Sequence, residues 1–140
     1  MKNIVYLSTA IKLLGDNELI EILDAARKNN VEYHVSGVLL YSEGTFIQLI
    51  EGDDADVDFI YAKIKQDNRH KNIIALIDSP IQERNFSDWL MGFASLKADK
   101  VNDVIGYLKS SGSLNAKKGN SAAATTLKTF IDTNNLQISY

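Results

Sequence analysis

Gln48 lies in the middle of an apolar run, Thr45–Glu51, with Phe46, Ile47, Leu49 and Ile50 around it. A buried amide left unpaired costs about 1–3 kcal/mol, so this side chain needs partners. Tyr6 would suit it if the strand Asn3–Ser8 lay beside that run, because phenol and amide each donate and accept. Taken alone, each residue reads more simply as strand filling, bonded locally. Asn29-Asn30 is either a helix C-cap or a pair of carboxamides that could read the edge of a planar heterocycle. Asp67-Asn68-Arg69-His70 is either a polar helix exit or an anion site, with Arg69 bonding a phosphate. Trp89 and Met91, two apart, share a face if their segment is extended, and core packing is the simpler use of both.

Several classes of chemistry are disfavoured. The chain has no cysteine, hence no disulfide, thiol chemistry or Cys-based metal site. Its two histidines, His34 and His70, lack the close spacing of a local metal motif. There is no Gly-rich phosphate loop and no legible Ser-His-Asp spacing, so turnover of a separate substrate has little support. A net charge of −3 argues against direct nucleic-acid binding. No apolar run approaches the roughly 20 residues that span a bilayer, and Ser8, Thr9 and Lys12 interrupt any signal-peptide core. A cytoplasmic location is expected, with no membrane partner.

The elements that must position these residues follow in order. Asn3–Ser8 reads as a strand. Asp16 can cap a helix whose stripe is Leu19, Ile20, Ile22, Leu23 and Ala26; Arg27 and Lys28 suit its end, and Asn29-Asn30 closes it. His34–Ser42 and Thr45–Glu51 form a hairpin about Glu43-Gly44, where a primed turn needs positive φ. Gly52-Asp53-Asp54 opens a second helix with Val57, Ile60, Tyr61 and Ile64 inward. Asn72–Asp78 and Leu90–Leu96 are the remaining strands. The order predicts an α+β, ferredoxin-like β-α-β-β-α-β-β sandwich. The Gln48 strand is apolar on both alternating sets, so its sheet needs a second cover. Two C-terminal helices can supply it, one with Val101, Val104, Ile105 and Leu108, the other with Ala123, Ala124, Leu127, Phe130 and Ile131. The expected division is therefore 1–97 and 98–140.

Taken together, the ordered pieces resemble the BLUF domains, the flavin-binding blue-light sensors. They are Tyr6-Leu7-Ser8, Asn29-Asn30, the stretch 36–41 (SGVLLY), 44–52 (GTFIQLIEG), 67–70 (DNRH) and 84–93 (RNFSDWLMGF). The likeness runs from about Asn3 to Leu96. It implies a flavin, FAD with FMN the alternative, held between the two helices on the sheet. It makes Tyr6 the photo-oxidisable tyrosine, Gln48 the switching glutamine and Asn30 the ring-binding asparagine, with Asn29 its less constant neighbour. Ser8, Arg69 and His70 fall among the cofactor contacts, and Trp89 and Met91 on the signalling segment of the last strand. The 44 residues after Leu96 resemble the paired helices of short BLUF proteins, which act through oligomers or a separate protein partner.

The implied chemistry suits the residue types. An excited flavin is a strong oxidant, and an oxidised tyrosine is very acidic, so its proton must leave with the electron. Gln48 between Tyr6 and the flavin would carry that proton. Rotation or tautomerisation of its amide would then change the bond to the flavin and red-shift its absorption. Two other readings fit the same layout. One is an acylphosphatase-like hydrolase, although no Arg loop with a matching Asn is evident; the other is a flavin-free sensing or oligomerisation module.

Overall fold

The computed structural model describes residues 1–86, 90–95 and Leu127. Its elements are β1 (Lys2–Ala10), α1 (Asp16–Tyr33), β2 (Ser36–Ser42), β3 (Thr45–Gly52), α2 (Asp54–Gln66), β4 (His70–Pro80) and β5 (Gly92–Ser95). The sheet order is β4-β1-β3-β2-β5. Among the described strands only the β2–β5 pair is parallel, and two helices lie on one face. This is the expected ferredoxin-like α+β fold. The Glu43-Gly44 turn has φ of 41° and 93°, as a primed hairpin turn requires.

Period-two alternation divides the core into two layers. Leu39, Phe46 and Ile50 face Leu19 and Leu23 of α1 and Val57 and Ile60 of α2. Val38, Leu40, Ile47 and Leu49 face the other way and pack with Val5, Phe86 and Leu127. The sheet is thus apolar on both sides, and Leu127, helical and 1% exposed, sits against the second face. The remainder of the predicted C-terminal helices lies outside the described residues.

Gly37 fixes how closely the central strands approach. A Cβ there would stand 1.9 Å from the carbonyl oxygen of Leu49. Only glycine fits such a backbone contact.

Several expected boundaries shift. The first helix does not close at Asn29-Asn30; it continues to Tyr33 and ends with His34 in the left-handed region, φ 54°. Three more residues bring Tyr33 against Phe59 of α2, ring centroids 4.7 Å apart, a contact that outweighs the capping preference of Asn. Arg27 and Lys28 therefore lie inside the helix rather than in its last turn. Its N-cap is Gly15, whose N–H donates to Glu18 at 3.4 Å, so Asp16 begins the helix instead of capping it. β1 and β4 each extend beyond their apolar runs, because ladder pairing persists through Thr9↔Lys71 and Lys2↔Pro80. The last strand is shorter than Leu90–Leu96 at its start, since Leu90 and Met91 precede β5.

Candidate functional site

The register sets Tyr6 directly opposite Gln48. Both side chains point to the helix side, and both are buried. The Tyr6 hydroxyl donates to Gln48 Oε1. The Gln48 Nε2 in turn donates to the Met91 sulfur at 3.3 Å, a weak acceptor. One chain of polar contacts thus runs from β1 through β3 to the residue before β5. Burial pushes the Tyr6 phenol well above its ordinary pKa of 10.0, with Tyr61 and Asp67 adding to the effect. The phenol therefore stays protonated and able to donate.

This pair forms the floor of a cleft of about 730 Å³, counting its open mouth. Ile22, Ala25, Ala26 and Asn29 of α1 form one wall, and Ile60, Lys63 and Ile64 of α2 form the other. Ala25 and Ala26 offer only methyl groups to this wall. Asn29 and Asn30, no longer a cap, both line the cleft from within α1. Asn30 is 1% exposed, and its Nδ2 donates to the Leu90 carbonyl. Asn30 thus lies inside α1, about one turn before its end.

At the far end lie Asp67, Arg69 and His70. Arg69 is held by Asp67, with Nε donating to the two carboxylate oxygens at 2.9 and 3.1 Å. These hydrogen bonds keep the Asp67 carboxyl below its usual range against the opposing effect of burial. The Arg69 charge is thus already partnered, whereas Lys63 makes no ion pair among the described residues. Lys63 stands over the rings of Phe59 and Tyr33, at 5.3 and 5.8 Å. His70 Nδ1 is 2.8 Å from Ser8 Oγ, and its Nε2 is 2.5 Å from the Ile64 carbonyl oxygen. Ser8 reaches the cleft only through that histidine.

A phenol and three carboxamides converge on a flat, mainly apolar slot between two helices. The sequence profile described as "Sensors of blue-light using FAD" (BLUF) matches residues 1–92. The chain belongs to the BLUF family. BLUF domains are flavin-binding blue-light sensors, and this one shares that class of function. Among curated relatives it is similar to the photoactivated adenylate cyclase subunit beta of Euglena longa, 40% identical over 93 residues, 65% of this chain and 11% of the relative. It is also 34% identical over 85 residues to the blue light- and temperature-regulated antirepressor BluF of Escherichia coli (strain K12), covering 61% of this chain and 21% of that protein. The chain thus spans about a tenth to a fifth of the length of these two relatives. Among solved structures, the dark state of BlrB, a BLUF protein, has a TM-score of 0.68 at 25% identity, covering 95% of this chain and 96% of that one. The photo-activated state of BlsA gives 0.65 at 25%, with 94% and 92% covered.

Of the signalling residues expected in this BLUF chain, Met91 is fully buried on the cleft side. Trp89 lies outside the described residues. No helix among those described is long and apolar enough to cross a membrane. The sequence reading passed over Ala25, took Ile22 and Ala26 only as helix stripe rather than cleft wall, and did not see Asp67 as the partner of Arg69. The walls carried only the helical stripe as a signal. Spacing alone cannot tell a stripe that packs from one that leaves a slot.

Proposed function

We propose that this chain binds FAD non-covalently in the α1–α2 cleft and uses Tyr6 and Gln48 as its light-driven switch. The observation that carries this reading is the Tyr6–Gln48–Met91 chain of contacts on the cleft floor. The residues fit a flavin. Ile22, Ala25, Ala26, Ile60 and Ile64 offer apolar faces to a planar ring, and Asn29, Asn30 and Gln48 offer amides to its polar edge. Lys63 carries a charge suited to a carbonyl or phosphate oxygen, with Arg69 and His70 at the far end. FAD rather than FMN follows the family's description.

When bound, the flavin supplies a strong oxidant under blue light. Tyr6 is the oxidisable side chain, and its hydroxyl already points its proton at Gln48 Oε1. Gln48 has its donor and acceptor ends engaged on different partners, so turning or tautomerising the amide exchanges them. Met91 sulfur would then lose its donor, which links the amide to β5. Segment 98–140 covers the sheet's second face in this reading, supported by Leu127 buried there. It passes the change to a second copy or a separate protein, in the cytoplasm, with no substrate turnover of its own.

The test uses Tyr6→Phe and Gln48→Leu in the full chain. Each should retain flavin, because the walls remain, and each should lose the reversible red shift. A normal light–dark difference spectrum in either variant would remove its residue from the switch.

A further inference from the structure

On the side of the sheet away from the cleft stands a carboxylate that the switch leaves unused. Glu51 is fully buried, on the same strand as Gln48 but on the opposite face. Its Oε2 accepts from the backbone N–H of Asn85 at 3.0 Å. Its Oε1 accepts from the N–H of Phe86, and from the Ser36 hydroxyl at 3.3 Å. Arg84 adds its charge nearby and donates to Ser36 Oγ at 3.4 Å. Burial raises the Glu51 carboxyl above its ordinary pKa even against these donors. A buried carboxylate persists only where it is hydrogen-bonded. Here two of its donors are backbone groups of the β4–β5 connection.

That connection ends at the switch. Leu90 gives its carbonyl to Asn30, and Met91 gives its sulfur to Gln48. The Met91 carbonyl also accepts from Arg27, at 3.1 Å from Nε and 3.0 Å from Nη2. Phe86 and Leu90 are four residues apart, so covalent geometry keeps these two anchors within about 14 Å of each other. Phe86 is itself seated in the second-face core beside Leu49 and Leu127.

We propose that Glu51 is a positioning residue for the Gln48 switch: it clamps the backbone of Asn85 and Phe86, and so sets where Met91 meets Gln48. This rests on the photoreceptor reading above, and the two fail separately. The experiment uses the full chain with Glu51→Gln and Ser36→Ala. In flavin-free protein, amide exchange at Asn85 and Phe86 should quicken about tenfold in Glu51→Gln, as local opening becomes easier. In FAD-loaded protein, Glu51→Gln should change the dark-recovery rate by at least about threefold on the wild-type background and not on Met91→Leu, because coupled residues are non-additive. A wild-type recovery rate, additive effects or unchanged exchange would overturn the clamp. If Glu51→Gln does not fold, Ser36→Ala must show the same non-additivity at smaller size, and an additive or null result there overturns it. If the wild type shows no reversible spectral change, the photoreceptor reading fails and amide exchange alone decides the clamp.

Discussion

Met91 combines packing and hydrogen bonding at one side chain, and two substitutions separate them. It is fully buried on the helix side of the sheet, and its sulfur accepts from Gln48 Nε2 at 3.3 Å. Met91→Ala removes the thioether arm from a packed site, which costs about 2–5 kcal/mol. Met91→Leu keeps the volume, so its packing cost stays under about 1.5 kcal/mol. Leucine cannot accept a hydrogen bond, however. The Gln48 N–H would lose its acceptor at a cost of about 1–3 kcal/mol, near the low end because a thioether accepts weakly. The expected loss is thus about 1–2.5 kcal/mol for Leu and about 3–6 for Ala. Urea unfolding of the flavin-free protein, followed by circular dichroism, measures both. In FAD-loaded protein Met91→Leu should keep its flavin and alter dark recovery. A Met91→Leu variant as stable as the wild type, with unaltered recovery, would refute the sulfur's role as the switch's acceptor.

Other outcomes follow from the same geometry. Gly37→Ala should cost roughly 3 kcal/mol or more, since its Cβ would lie 1.9 Å from the Leu49 carbonyl oxygen and the central strands must part; thermal melting tests it. Asn30→Ala should lower FAD occupancy more than Arg69→Ala, because Asn30 is buried on the cleft floor while Arg69 is already paired with Asp67; the flavin-to-protein absorbance ratio decides it. Folded Tyr6 keeps its proton above the ordinary phenol pKa of 10.0, so above pH 10 the unfolded chain binds fewer protons and stability falls as pH rises. Tyr6→Phe should lessen that fall, which urea midpoints between pH 9 and 11 (about one unit either side of an ordinary Tyr) would measure. Truncation after Lys97 should expose the face that Leu127 covers and produce self-association, visible by size-exclusion chromatography.

The fold was readable because its signals are local. Alternating apolar residues mark both faces of the Gln48 strand, and Glu43-Gly44 marks the turn. The pairing of Tyr6 with Gln48 was legible as complementary chemistry, since a phenol offers that amide both roles, but strand hydroxyls do so too and the register had to choose. The helix end misled because two asparagines favour a cap locally, whereas packing against α2 carries α1 on to Tyr33. Arg69 lines the far end of the cleft, and its nearest anion is Asp67, a pairing that residue type alone did not announce. Glu51 did leave a trace, a lone carboxylate ending an apolar run. Two of its partners are backbone groups about thirty-five residues away, and residue type does not encode such contacts.

The central claim is that the cleft holds a flavin whose light response passes through Tyr6 and Gln48. Its most direct test is the absorption spectrum of the FAD-reconstituted full chain before and after blue light. The expected result is a yellow protein whose flavin bands shift to the red without bleaching and return in darkness, while Tyr6→Phe binds FAD and does not shift. A chain that takes up no flavin, or a Tyr6→Phe variant that shifts like the wild type, would contradict it.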